Sequence, residues 1–219
     1  MKFYYFDCYA YGEHIRMALH LAKIEYEDIR FPYDAPREEF NKLKSQGLFE
    51  FGQVPMLEFD DGKRYVQTNA ILNFLGAKYG LIPSDPDAAY RGYMVKDLLE
   101  LDFLKKHVYQ AVWYTEPGPE QFGLLDIIWN THLPAFLEKL HGRLSLFPES
   151  KFLCGNEVTI FDIFVAGSML NIMLNPLADR ADGWKFYMDK HSSPLVEQYI
   201  ANFEEVMGDY LKNRPDSKY

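Results

Sequence analysis

Cysteine is scarce: Cys8 and Cys154 are the only two in 219 residues. Two thiols cannot build a disulfide framework or a cysteine zinc cluster, so both read as reduced thiols. No uninterrupted apolar run reaches the roughly 18 residues needed to cross a bilayer, which argues against a membrane-spanning helix. Basic charge is in the minority, with 23 Lys plus Arg against 32 Asp plus Glu and a net charge of -9. That balance repels a phosphate backbone and argues against nucleic acid as a partner. The opening run Lys2-Phe3-Tyr4-Tyr5-Phe6 is strand-like and lacks the basic and then apolar pattern of a secretion signal, so the cytoplasm is the expected compartment.

Several chemical motifs are missing as well. GxGxxG, a phosphate loop and a GxSxG elbow do not occur, which removes nucleotide chemistry and serine hydrolysis. The six histidines form neither HExxH nor an i, i+4 pair, and no metal site is expected. Asp97, Glu100 and Asp102 read first as a solvated helix face. The stripe Met169, Ile172 and Met173 reads as core.

What is present is a folding composition, 48% apolar and 16% aromatic. Two regimes divide near Tyr79-Gly80-Leu81-Ile82-Pro83-Ser84-Asp85-Pro86, where helix-stopping residues cluster, giving expected domains 1–81 and 82–219. The first half alternates strand and helix patterns: strands at Lys2 to Asp7, Asp28 to Phe31, Val54 to Phe59 and Lys63 to Val66. Its helices are expected at Gly12 to Lys23, Arg37 to Lys44 and Thr68 to Tyr79. The second half has apolar residues three and four apart and reads as all helical, over Ala88 to Val112, Phe122 to Leu144, Thr159 to Leu174 and Pro194 to Leu211. Lys212 to Tyr219 reads as a polar tail.

Three short segments carry information through their order. Gln53-Val54-Pro55-Met56-Leu57 places a proline at a strand start, where a missing N–H is tolerated and a cis peptide can turn the backbone outward. Gln67-Thr68-Asn69-Ala70-Ile71-Leu72 ends a strand and opens a helix, whose free N–H groups favour a carboxylate. Gly155 to Asp162 is a capping-box-like helix start.

In this order, and with a helical second half, the chain resembles the cytosolic glutathione S-transferases over essentially its whole length. Tyr5-Phe6-Asp7 with Arg16, Tyr26-Glu27-Asp28 and the ending Arg214 to Lys218 are most similar to the sigma class, while Gln67 to Ile71 is mu-like. The resemblance implies a thioredoxin-like α/β domain followed by an all-α domain, a cis Pro55, and a homodimer in which an acidic residue of the partner's long helix, Glu100 or Asp102, reaches the glutathione amine. It implies a detoxifying transferase that takes glutathione as co-substrate, needs no metal or other cofactor, and acts on small hydrophobic electrophiles.

Carried over residue by residue, the resemblance makes Tyr5 the catalytic tyrosine. Tyr4 and Tyr5 face opposite sides of a strand, so at most one can serve. A free thiol with a pKa of about 8.5 is only a few percent thiolate at neutral pH, and a phenolic donor stabilises the anion. Glutathione is expected against Tyr5, Phe40, Lys44, Gln53, Val54, Pro55, Gln67 and Thr68. Tyr9, Tyr11, Leu104 and Tyr109, with Trp113 nearby, are expected to line the electrophile pocket. Two positions depart from the sigma pattern: Tyr11 stands where an arginine is usual, and Phe40 where a tryptophan is. Those departures leave two further readings open, a transferase-fold ligand carrier or structural protein, and a glutathione-dependent isomerase or peroxidase. A redox Cys8, as in omega and beta relatives, lacks the Cys-Pro-Phe setting.

Overall fold

The computed structural model describes residues 1–218. Four strands form one sheet: β1 (Lys2–Phe6), β2 (Glu27–Phe31), β3 (Met56–Glu58) and β4 (Arg64–Val66). Their order is β2-β1-β3-β4, with β1 parallel to β2 and antiparallel to β3, and β3 antiparallel to β4. Tyr5 pairs with Arg30, and Tyr4 sits opposite both Ile29 and Met56.

The strand period of two sends neighbouring residues of β1 to different cores. Phe3 and Tyr5 join the main core with α1 (Ala10–Leu21) and α3 (Thr68–Tyr79), through Ile15, Leu19, Ile71 and Leu75. Tyr4 joins a smaller aromatic cluster on the other face, with Phe31, Phe49, Met56 and Phe40 of α2 (Glu38–Ser45). The result is the expected thioredoxin-like layer of helices around a mixed sheet.

From Pro86 onward the structure is helical. Asp85 caps α4 (Pro86–Asp97) by accepting from the Ala88 N–H at 3.1 Å, and Pro86 occupies the first turn, where its missing N–H costs nothing. The helix runs on through a π-wound stretch, Leu98–Val108, into α5 (Tyr109–Trp113). A second composite helix joins α6 (Pro119–Ile127), a π-wound stretch Ile128–His132 and α7 (Leu133–Ser145). Pro134 lies at the start of α7; it has no N–H for the preceding turn, and the widened stretch just before it absorbs the break.

Helix α8 (Ile160–Ser168) is buried along its length and opens with the expected capping box. The Asp162 carboxylate accepts from the Thr159 N–H at 2.9 Å and hydroxyl at 2.6 Å, the Leu153 N–H at 3.0 Å and the Tyr199 hydroxyl at 3.2 Å. Two helices follow, α9 (Ala181–His191) and α10 (Pro194–Asn213). The segment around α9 is one for which no helix was expected, and α10 ends two residues beyond its expected limit. Among the described residues no helix is long and apolar enough to cross a membrane.

Candidate active site

The junction between β1 and α1 is built around Tyr5. Its ring stacks on Phe3 at 6.2 Å, meets Phe6 edge-on at 5.9 Å, and lies 5.8 Å from the Arg16 guanidinium. Gly12 permits this closure, because a Cβ there would stand 2.1 Å from a Tyr5 ring carbon. The tyrosine is 6% exposed, and its hydroxyl oxygen accepts the Tyr11 N–H at 3.2 Å. Burial pushes the phenol well above the ordinary tyrosine range, so it keeps its proton at neutral pH. An oxygen that accepts from the backbone retains an O–H free to donate.

The connecting loop is strained and braced. Ala10 has φ 30°, a left-handed value that L-residues seldom adopt. Arg16, fully buried, donates to the Phe6 carbonyl at 3.2 Å and the Cys8 carbonyl at 2.9 Å, clamping the loop from behind. The same guanidinium pairs with Asp28 at 3.0 Å and Glu13 at 3.4 Å. Glu13 in turn accepts from Tyr210 at 2.9 Å and Arg214 at 3.0 Å. Arg16, Asp28 and Arg214, which the sequence offers only as scattered landmarks, therefore meet in one network. Glu13 escaped notice, although its i, i+3 spacing from Arg16 was the available signal.

Cys8 sits inside this junction, 1% exposed, with burial pushing its thiol up to about 12. Such a buried thiol keeps its proton at neutral pH.

Beside the junction, Val54–Pro55 is a cis peptide, as the resemblance implies. Gln53, Val54, Pro55 and Gln67 line one small cavity of about 20 Å³ with Phe51 and Val66. Gln67 has φ 71°, a left-handed value in a non-glycine residue, and turns the chain from β4 into α3. Its side chain makes no cap, which leaves the first N–H groups of α3 without that partner. Thr68 begins the helix and is buried. Lys44 lies against Gly52, its Cε 3.0 Å from where a Gly52 Cβ would sit.

Phe40 is placed differently. It is 8% exposed and packs on Phe6, Phe31 and Phe49 at 5.1, 5.7 and 5.4 Å, in the cluster on the Tyr4 face. An apolar ring with no donor is a packing element there, and Lys44, 5.9 Å above it, is the polar group of that turn.

On the helical side, Tyr11 meets Tyr109 edge-on at 5.8 Å and Trp113 at 6.2 Å, and Tyr109 stacks on Trp113 at 4.0 Å. Burial first of all pushes the Tyr11 phenol up to about 12. Tyr11 of α1 and Tyr109 and Trp113 of α5 thus form one aromatic wall beside the Tyr5 junction. Leu104 is fully buried in the main core beneath them. Tyr9 is 5% exposed because the Arg214 guanidinium lies 3.9 Å over its ring. The expected polar tail is thus pinned in part: Arg214 also donates to Asn171 at 2.7 Å, and the Ser217 carbonyl accepts from Asn175 at 2.9 Å. Tyr219, the last residue of that tail, lies outside the described residues.

Comparison with known proteins bears on the family and the fold. Residues 1–77 match the family described as "Glutathione S-transferase, N-terminal domain". Glutathione S-transferase 4 of Caenorhabditis elegans is 29% identical over 207 residues, spanning 91% of this chain and 95% of that one. Glutathione S-transferase alpha-3 of Rattus norvegicus is 30% identical over 175 residues, spanning 77% of this chain and 72% of its own. The crystal structure of the glutathione S-transferase from Ascaris lumbricoides shares the fold, with a TM-score of 0.77 at 24% identity over 100% of this chain and 98% of that one. On the strength of these relatives, the chain is an enzyme of the glutathione S-transferase family.

Proposed function

We propose that the Tyr5 hydroxyl donates a hydrogen bond to the sulfur of bound glutathione, holds it as a thiolate, and so activates it for attack on an electrophilic carbon of an apolar substrate. The observation that carries this reading is the Tyr11 N–H to Tyr5 oxygen contact at 3.2 Å, which fixes the oxygen and frees its proton. Lowering a thiol pKa by about two units takes roughly 2.7 kcal/mol, within reach of one charge-assisted hydrogen bond of about 1.5–3 kcal/mol. No metal or further cofactor enters this chemistry.

In the same reading, Val54 pairs its backbone with the cysteinyl part of glutathione, Gln67 and Thr68 hold the γ-glutamyl end, Lys44 takes the glycyl end, and Gln53 contacts glutathione just before the cis-proline pair. Residues 1–81 form the glutathione-binding domain and residues 82–219 supply most of the electrophile side, where Tyr109 and Trp113, together with Tyr11 of the first domain, offer flat apolar surface. We assign the chain to the sigma-like enzymes, as a cytoplasmic homodimer with a detoxifying role.

The test is turnover with an aryl halide and an enal. Tyr5→Phe is expected to lower kcat by about a hundredfold, the size of one lost transition-state donor; an unchanged kcat contradicts the reading. One observation favours the alternative of a ligand carrier, namely that Tyr5 is only 6% exposed. Calorimetry separates the two, since glutathione binding with negligible conjugation by the unaltered protein identifies the carrier.

A further inference from the structure

Glu100 lies in the π-wound stretch of the long helix and is 2% exposed. Its carboxylate accepts four contacts from three side chains. Lys96 donates at 2.5 Å and Lys105 pairs at 2.8 Å, while the Asn69 amide donates to both oxygens at 3.2 and 3.1 Å. Burial alone would push the carboxyl up, but the hydrogen bonds from Lys105, Lys96 and Asn69 hold it below the ordinary carboxylate range.

The winding of the helix makes this node possible. Lys96 is four residues before Glu100 and would face it on any α-helix. Lys105 is five residues after, and on an α-helix that position points about 140° away. In a π-wound stretch the i and i+5 positions meet, so Lys105 comes onto the carboxylate. The second ammonium balances a charge that burial would otherwise make costly.

The node has one arm outside the long helix. Asn69 is the second residue of α3, directly after Thr68 and two after the strained Gln67. Lys96 also lies 4.7 Å over the Phe164 ring of α8, so the node is fixed to the most buried helix of the fold. Asp102, the other acidic residue of this part of the helix, is exposed and makes no such contact with α3.

We infer that Glu100 is a positioning residue acting within its own chain: it grips Asn69 and thereby fixes the entry to α3 that holds the γ-glutamyl end of glutathione. This rests on the assignment of Gln67 and Thr68 under Proposed function. It differs from the expectation that Glu100 reaches across to a partner's glutathione.

Asn69→Ala removes the grip and leaves Glu100 paired with both lysines, so it avoids an uncompensated buried charge. In the full-length protein, KM for glutathione is expected to rise about tenfold, as for one lost charge-assisted hydrogen bond, while kcat stays within about twofold. The melting temperature should fall by about 3–6 °C, as for one such bond in a chain of this size. A KM equal to that of the unaltered protein overturns the inference, as does an equal fall in kcat. Calorimetric glutathione affinity of the same two proteins keeps this test independent of conjugation: absent turnover contradicts only the proposed activity, whereas equal affinities contradict the role of the node. A mixed preparation of Glu100→Gln chains and Tyr5→Phe chains decides the direction of action. Tyr5-bearing sites that keep the raised KM support action within one chain, and sites restored to the ordinary KM overturn it.

Discussion

Tyr4 and Tyr5 are adjacent in sequence, identical in chemistry and both nearly buried, yet their hydroxyls meet opposite kinds of partner. Tyr4 points into the smaller aromatic cluster and donates its proton to the Glu58 carboxylate at 2.8 Å. Burial, then the Glu58 hydrogen bond, pushes its phenol up to about 12. Tyr5 points into the main core, and its oxygen accepts a hydrogen bond from the Tyr11 N–H. The first hydroxyl is spent on a structural acceptor, and the second keeps a donor in reserve. Under the proposed mechanism, residue type alone does not select the catalytic tyrosine; the role of the oxygen in its local hydrogen bonds does.

The surroundings of the two residues differ in the same sense. Behind Tyr5 stands Arg16, fully buried and bonded to Asp28, Glu13 and two loop carbonyls. Beside Tyr4 stands Arg64, partly exposed, with a single ion pair to Glu58 at 2.7 Å. Arg16→Ala strands buried carboxylate charge and should cost about 3–5 kcal/mol, whereas Arg64→Ala should cost at most about 1 kcal/mol. Urea unfolding of the two variants checks this, and equal losses would remove the distinction between a braced and an unbraced face.

A second difference lies in titration. His14 of α1, on the Tyr5 side, is buried against Phe164 at 4.5 Å and contacts Ser168 at 3.0 Å. Burial pulls its pKa down to about 4 from an ordinary 6.5. Between those values the unfolded chain binds a proton that the folded chain does not, so stability rises with pH across that window and is lost as pH falls through it. The loss attributable to His14 should reach about 3 kcal/mol by pH 4. It should be absent from His14→Gln, measured as the difference in unfolding free energy between pH 7 and pH 4.

The smallest effect belongs to Tyr4 itself. Tyr4→Phe removes one bond to a partly exposed carboxylate and should cost about 1 kcal/mol. Conjugation rates should stay within about twofold, and a larger loss would mean that both faces of β1 take part in the chemistry.

Much of this contrast was legible from sequence. The period of two separates Tyr4 from Tyr5, and the order of Pro55, Gln67 and the Thr159 to Asp162 cap points to the family. What escaped local reading has physical causes. Helix α9 buries only Trp184 and Met188 along its length, too thin a stripe to register as periodic. Pro86 looked like a breaker, but after Asp85 it is a first-turn proline that starts a helix. The pairing of Glu13 with Arg214 closes a loop of 201 residues, and no window on the sequence spans it. Phe40 sits at a position where the family pattern suggests a ligand contact, and its burial depends on Phe31 and Phe49, which only the folded sheet brings together.

The most direct measurement is the pKa of the glutathione thiol when bound, followed by thiolate absorbance against pH in the unaltered protein, in Tyr5→Phe and in Tyr4→Phe. The account predicts a bound thiol about two units below its free value of about 8.5 in the unaltered protein and in Tyr4→Phe, returning toward the free value in Tyr5→Phe. A bound thiol that titrates identically in all three proteins would contradict it.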